Sequence, residues 1–133
     1  MKKIFLAFVF TLIMISLLIS IQKKDFGEER QTRFIDHRNG TITDTKTNLM
    51  WASKDNGSKI NWHDAHSYCQ KFNGGGYSDW RMPTLKELSG LYDKKRPRKH
   101  RTTPLIKLSN QYIWATETIG SSAAPFTFIY GRR

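Results

Sequence analysis

Six cations within eight residues, Lys94, Lys95, Arg96, Arg98, Lys99 and Arg101, are the side chains of this sequence best suited to chemistry with a partner. Pro97-Arg98-Lys99-His100-Arg101-Thr102 fits the x-basic-basic-x-basic-x order often seen in heparin-binding segments, and the preceding cations extend it. Clustered cations gain affinity for a polyanion by releasing its condensed counterions, a rule established on nucleic acids that carries over to sulfated glycans. The chain has 22 Lys and Arg against 11 Asp and Glu, so this one segment holds six of its eleven excess positive charges. Any anionic partner is therefore expected there. A solvated loop with incidental charge is the competing reading.

Other residues invite chemistry less well. Asp36, Asn39 and Asp44 put oxygen ligands around a glycine turn, but the spacing is not that of an EF-hand and no glutamate closes it, so capped turns are expected instead of calcium. His63 and His66 share a helical face without the further ligands a zinc site needs. Cys69, the only cysteine, excludes an internal disulfide and a thiolate cage. It falls on an apolar stripe, where a thiol behaves as a small hydrophobe with a raised pKa. Asp79, Trp80 and Arg81 resemble an aromatic-plus-cation pair for sugars or anions. Between two helices, however, Trp80 reads as core and Arg81 as a buried ion-pair partner of Asp79 or Glu87. No catalytic residue, metal or cofactor is assigned.

The elements that position these residues follow from pattern. Phe34-Ile35, Thr41-Ile42-Thr43 and Leu49-Met50-Trp51 read as strands of a meander, with Asn39-Gly40 as a two-residue hairpin turn and Thr45 to Asn48 as a second turn. Ala65, Tyr68, Cys69 and Phe72 recur at helical spacing, with Asn61 as N-cap and Gly74-Gly75-Gly76 as the stop. Thr84 and Glu87 have the spacing of a capping box, so Leu85, Leu88, Leu91 and Tyr92 would line the buried side of a second short helix. Residues 112–116 and 126–130 read as antiparallel C-terminal strands. The fold class is α+β.

Upstream, Met1-Lys2-Lys3 precedes an uncharged apolar run from Ile4 to Ile21, on the border between a cleaved signal peptide and a membrane-anchoring helix. Residues 22–32 read as a linker and 33–133 as one domain with one modest core. The expected location is outside the cytoplasm: anchored in the inner membrane, periplasmic, or on the cell surface. In that setting the basic segment would meet sulfated glycan, lipopolysaccharide or anionic lipid, and nucleic acid is not an expected partner.

The ordered motifs Phe34-Ile35-Asp36, Asn39 to Asp44, Thr47 to Trp51, Tyr68-Cys69, Gly75 to Thr84 with its Asp79-Trp80-Arg81-x-Pro83-Thr84 block, and Glu87-Leu88 resemble the Lcl C-terminal domain family. The resemblance covers about residues 33–131 and implies a fold akin to C-type lectins and formylglycine-generating enzymes. It also implies an exported bacterial protein, and in the member that names the family the domain is linked to sulfated glycans and adhesion. Members usually continue past a segment like Phe128 to Arg133 into a strand whose cysteine would pair with Cys69. The resemblance thus implies a shortened domain with an open sheet edge and an unpaired Cys69. Three readings follow: a noncatalytic module binding an anionic polymer, a nonfunctional truncated member, or an enzyme of the formylglycine-generating kind. The last depends on active-site cysteines, and a single cysteine on an apolar stripe argues against it.

Overall fold

Thr41, Ile42 and Asp44 are almost wholly hidden from solvent, which marks their strand as the centre of a sheet. The computed structural model describes residues 32–133, of which Arg33–Arg133 form one compact unit. The apolar run 4–21, and the linker except for Thr32, lie outside the described residues. No helix among the described residues is long and apolar enough to cross a membrane.

Strands β1 (Phe34–Asp36), β2 (Thr41–Asp44) and β3 (Leu49–Ala52) form an antiparallel sheet in that order. The turn between β2 and β3 is organised by Asp44, whose carbonyl accepts from Thr47 N and Asn48 N while its carboxylate accepts from Lys46 N. Asn48 takes the left-handed conformation there (φ 56°), which asparagine tolerates better than most residues. The connection between β1 and β2 differs from the expected two-residue turn. Arg38 (φ 58°) and Gly40 (φ 88°) adopt positive φ, whereas Asn39 turns its side-chain oxygen to Thr41 N and Oγ1. The loop begins early because the Asp36 carboxylate accepts from Arg38 N at 2.8 Å. Asp36, Asn39 and Asp44 thus spend their oxygens on turns and on Arg33.

Helix α1 (Trp62–Lys71) starts at Asn61, whose oxygen accepts from Asp64 N at 2.9 Å. It is fastened to the second sheet by indole donors, Trp62 Nε1 to Ala115 O and Trp114 Nε1 to Ile60 O. Its stripe is shallower than the spacing predicts. Ala65 is buried, but Tyr68 is 42% exposed and the helix ends before Phe72. Helix α2 (Leu85–Leu91) has the complete capping box of Thr84 and Glu87. A partner not evident in the sequence also holds this end: the Glu117 carboxylate accepts from Leu85 N with both oxygens, at 3.0 and 2.9 Å.

Strands β4 (Tyr112–Ile119) and β5 (Ser122–Thr127) form a hairpin through Gly120 and Ser121, with an irregularity between Trp114 and Thr118. The expected strand over 126–130 is shifted. Phe128–Gly131 is a turn, and the strand runs upstream through Ala123, Ala124 and Pro125. Pro125 is tolerated because it pairs opposite Trp114, while Phe128 N donates to Gln111 O and so sets the hydrogen-bonded rungs at the neighbouring positions. Ile42, Leu88, Leu91, Ile106, Ala115, Phe126 and Phe128 form the core, with Trp51, Leu85 and Tyr92 packed against it.

A candidate anion-binding face

The basic segment has a defined shape. Asp93 N donates to Arg101 O at 2.9 Å and closes the base, and inside it Arg96 N donates to Asp93 O and His100 N to Pro97 O. The Asp93 carboxylate accepts from Lys95 N at 2.9 Å. Two successive turns therefore hold Lys94, Lys95, Arg98 and Lys99 outward, all four exposed. The six expected cations are not equivalent. Arg96 is half-buried with Nε donating to His100 O at 3.1 Å. Arg101 departs from the expectation of a free cation. It sits at the closed base of the loop, where its guanidinium donates to the Tyr92 hydroxyl and to Ile129 O and lies over the Tyr92 ring. Its role is to join loop to core.

The C-terminal turn completes this face. Gly131 (φ 72°) lies so close to Tyr92 that a Cβ there would sit 2.6 Å from the ring, which seats the turn directly on the core aromatic. Gln111 Nε2 donates to Lys99 O at 3.1 Å, tying the loop to the start of β4. As a result Tyr130 lies beside the loop, with Arg98 5.4 Å and Arg132 5.8 Å from its ring centroid. Exposed Arg133 follows. Sequence reasoning missed Tyr130 and Arg132 because it assigned residue 130 to a strand. The signal was present in the run Tyr130-Gly131-Arg132-Arg133, an aromatic beside paired cations.

A second feature is an apolar cleft of about 920 Å³ whose lining includes Trp51, Cys69, Phe72, Trp80 and Trp114. Trp80 is half-buried at its wall, donating Nε1 to Gly74 O and Tyr77 O and meeting Phe72 edge-on at 5.3 Å, outside the main core cluster. Burial raises the Cys69 thiol pKa, so the sulfur stays protonated and weakly nucleophilic. His63 and His66 pack around Trp62, at ring distances of 5.3 and 5.4 Å.

Arg81 pairs with Glu87 as one of the expected partners, through bonds of 2.9 and 2.6 Å, and Asp79 stays exposed. The expected burial is wrong: the Arg81 side chain is 58% exposed, because it clamps the start of α2 from the solvent side. The Arg81 bonds, helped by Thr84 N, hold the Glu87 carboxyl down at about 2. A carboxyl whose folded pKa is lowered stabilises the fold above its unfolded value, near 4.5, and that contribution disappears as pH falls towards 2. Glu87→Gln is therefore expected to melt below the parent protein at neutral pH, with the gap shrinking below about pH 4.5. A gap in melting temperature that stays constant down to about pH 2 would refute this assignment.

These features define a small α+β domain with a cationic face and an apolar cleft. Among its described residues no cluster of His, Cys, Asp and Glu could hold a metal ion. The model of the Lcl C-terminal domain family matches residues 40–132, and the chain belongs to that family. No curated protein and no solved structure matches it.

Proposed function

We propose that the domain is a noncatalytic binding module of the bacterial envelope that holds an anionic polymer, a sulfated glycan foremost, on the face built by residues 94–100 and 130–133. The observation that carries this reading is the loop itself: four exposed cations held outward by internal turns, with the nearest acid, Asp93, engaged by Lys95 N. Cations held on a fixed scaffold lose less entropy on binding than the same residues on a free chain. Lipopolysaccharide and anionic lipid offer related chemistry and are secondary ligands. The apolar run 4–21 supports export, with the segment cleaved or kept as an inner-membrane anchor. The protonated state of Cys69 supports a role without catalysis.

Heparin affinity as a function of salt tests this. Replacing Lys94, Lys95, Arg98 and Lys99 by Gln should lower the slope of log affinity against log salt by roughly 0.7–0.9 per contact removed, and binding near physiological salt should vanish. Arg101→Gln should lower the melting temperature and leave that slope within error of the parent's. Unchanged retention of the quadruple variant on immobilised heparin would sink the proposal.

A further inference from the structure

Tyr130 is 54% exposed, so burial is not what keeps an aromatic ring at this position. Two guanidiniums from separate segments converge on it, Arg98 from the loop and Arg132 from the C-terminal turn, both within 6 Å of the centroid. At such distances the electron-rich face of the ring attracts a cation. The arrangement has a cost, since two like charges drawn towards one ring repel each other and two long side chains lose rotamer freedom. Both costs would already be met when a ligand arrives. A guanidinium also differs in kind from the loop lysines: its planar fork matches the oxygens of a sulfate, phosphate or carboxylate with paired bonds, whereas an ammonium acts as a point charge.

We infer that Tyr130 is a positioning residue that holds Arg98 and Arg132 as a preset pair, and that this pair grips one sulfate ester of the polymer while Lys94, Lys95 and Lys99 supply general attraction. The inference rests on reading the basic face as a polyanion site. The two contributions separate in their salt dependence. Removing a lysine removes a counterion-releasing contact, whereas removing the ring leaves every charge in place and loosens only the geometry.

The test is heparin binding by the full chain over a range of salt concentrations, for Tyr130→Ala, Tyr130→Leu, Tyr130→Phe and Arg98→Lys. Tyr130→Ala and Tyr130→Leu should weaken binding about 3- to 10-fold with an unchanged salt slope, as expected when a freed arginine side chain must be ordered again on binding. Tyr130→Phe should stay within about twofold of the parent because the ring is kept. Arg98→Lys should lose affinity at constant slope. Because Tyr130 is exposed, melting temperatures should fall by only a few degrees, and Leu keeps side-chain bulk if Ala disturbs the turn. Affinity unchanged in both Ala and Leu variants would overturn the inference, and so would a loss shared equally by Tyr130→Phe, which would assign the effect to the hydroxyl. A parent protein without salt-sensitive heparin affinity would instead remove the polyanion reading itself, whatever the variants do.

Discussion

Phe128→Ala should cost about 3–5 kcal/mol of folding stability. Phe128 is 1% exposed and meets Phe126 edge-on at 5.0 Å, and both rings belong to the cluster formed with Ile42, Leu88 and Leu91. It also lines the apolar cleft, so truncation would extend that cleft towards the core. A domain of this size has only about 5–15 kcal/mol in total, so this one change should remove a large fraction of its stability. Urea denaturation would show a midpoint shifted far down with little change in slope, and Phe128→Leu should lose less than about half as much. A Phe128→Ala midpoint within error of the parent would mean that the core lies elsewhere.

Arg33→Gln is expected to be the next most damaging change, at about 2–3 kcal/mol. Arg33 donates to both carboxylate oxygens of Asp44, at 2.8 and 2.7 Å, and to Gly90 O at the end of α2. Asp44 is 1% exposed, so losing its partner leaves a buried charge supported only by the neighbouring Lys46 N and the Thr47 side chain. The expected cost lies below that of a fully buried pair because the Arg33 side chain keeps 33% of its exposure. Arg33 holds the Asp44 pKa below its ordinary value, so the pair stabilises the fold above the aspartate range and that gain is lost on acidification. The difference between parent and variant should therefore narrow as pH falls through that range. Arg33→Gln combined with Asp44→Asn should recover much of the loss. A double variant no better than Arg33→Gln alone would show that the buried charge is not the cause.

What could be read from the sequence was chemistry that closes within a few residues. Thr84 and Glu87, Asn61 and Asp64, and the turn over Thr45 to Asn48 each satisfy backbone donors four residues or fewer away, so spacing alone specifies them. The pairing of Arg81 with Glu87, six residues away, was legible only as one of two alternatives beside Asp79, and its exposure was not legible, because exposure depends on what the rest of the fold leaves uncovered. Arg101 looked like its neighbours in the basic run. Only tertiary structure brings Tyr92 and Ile129 to it and sets it apart from the exposed cations of the loop. The position of β5 was obscured by Pro125, whose acceptability depends on which rungs of the ladder carry hydrogen bonds. The cleft left no local signal, since its walls come from segments distributed over residues 49–128.

The close seating of Gly131 on Tyr92 has a thermodynamic consequence. Tyr92 packs on the core, Arg101 ties it to the loop, and the turn rests on its ring. Loop and turn therefore belong to the same cooperative unit as the core instead of opening as a separate flap. For the polymer proposed above, occupancy and folding would then be a single linked equilibrium: a polymer bound to the surface would reinforce the interior, and a defect in the interior would read out at the surface as lost affinity.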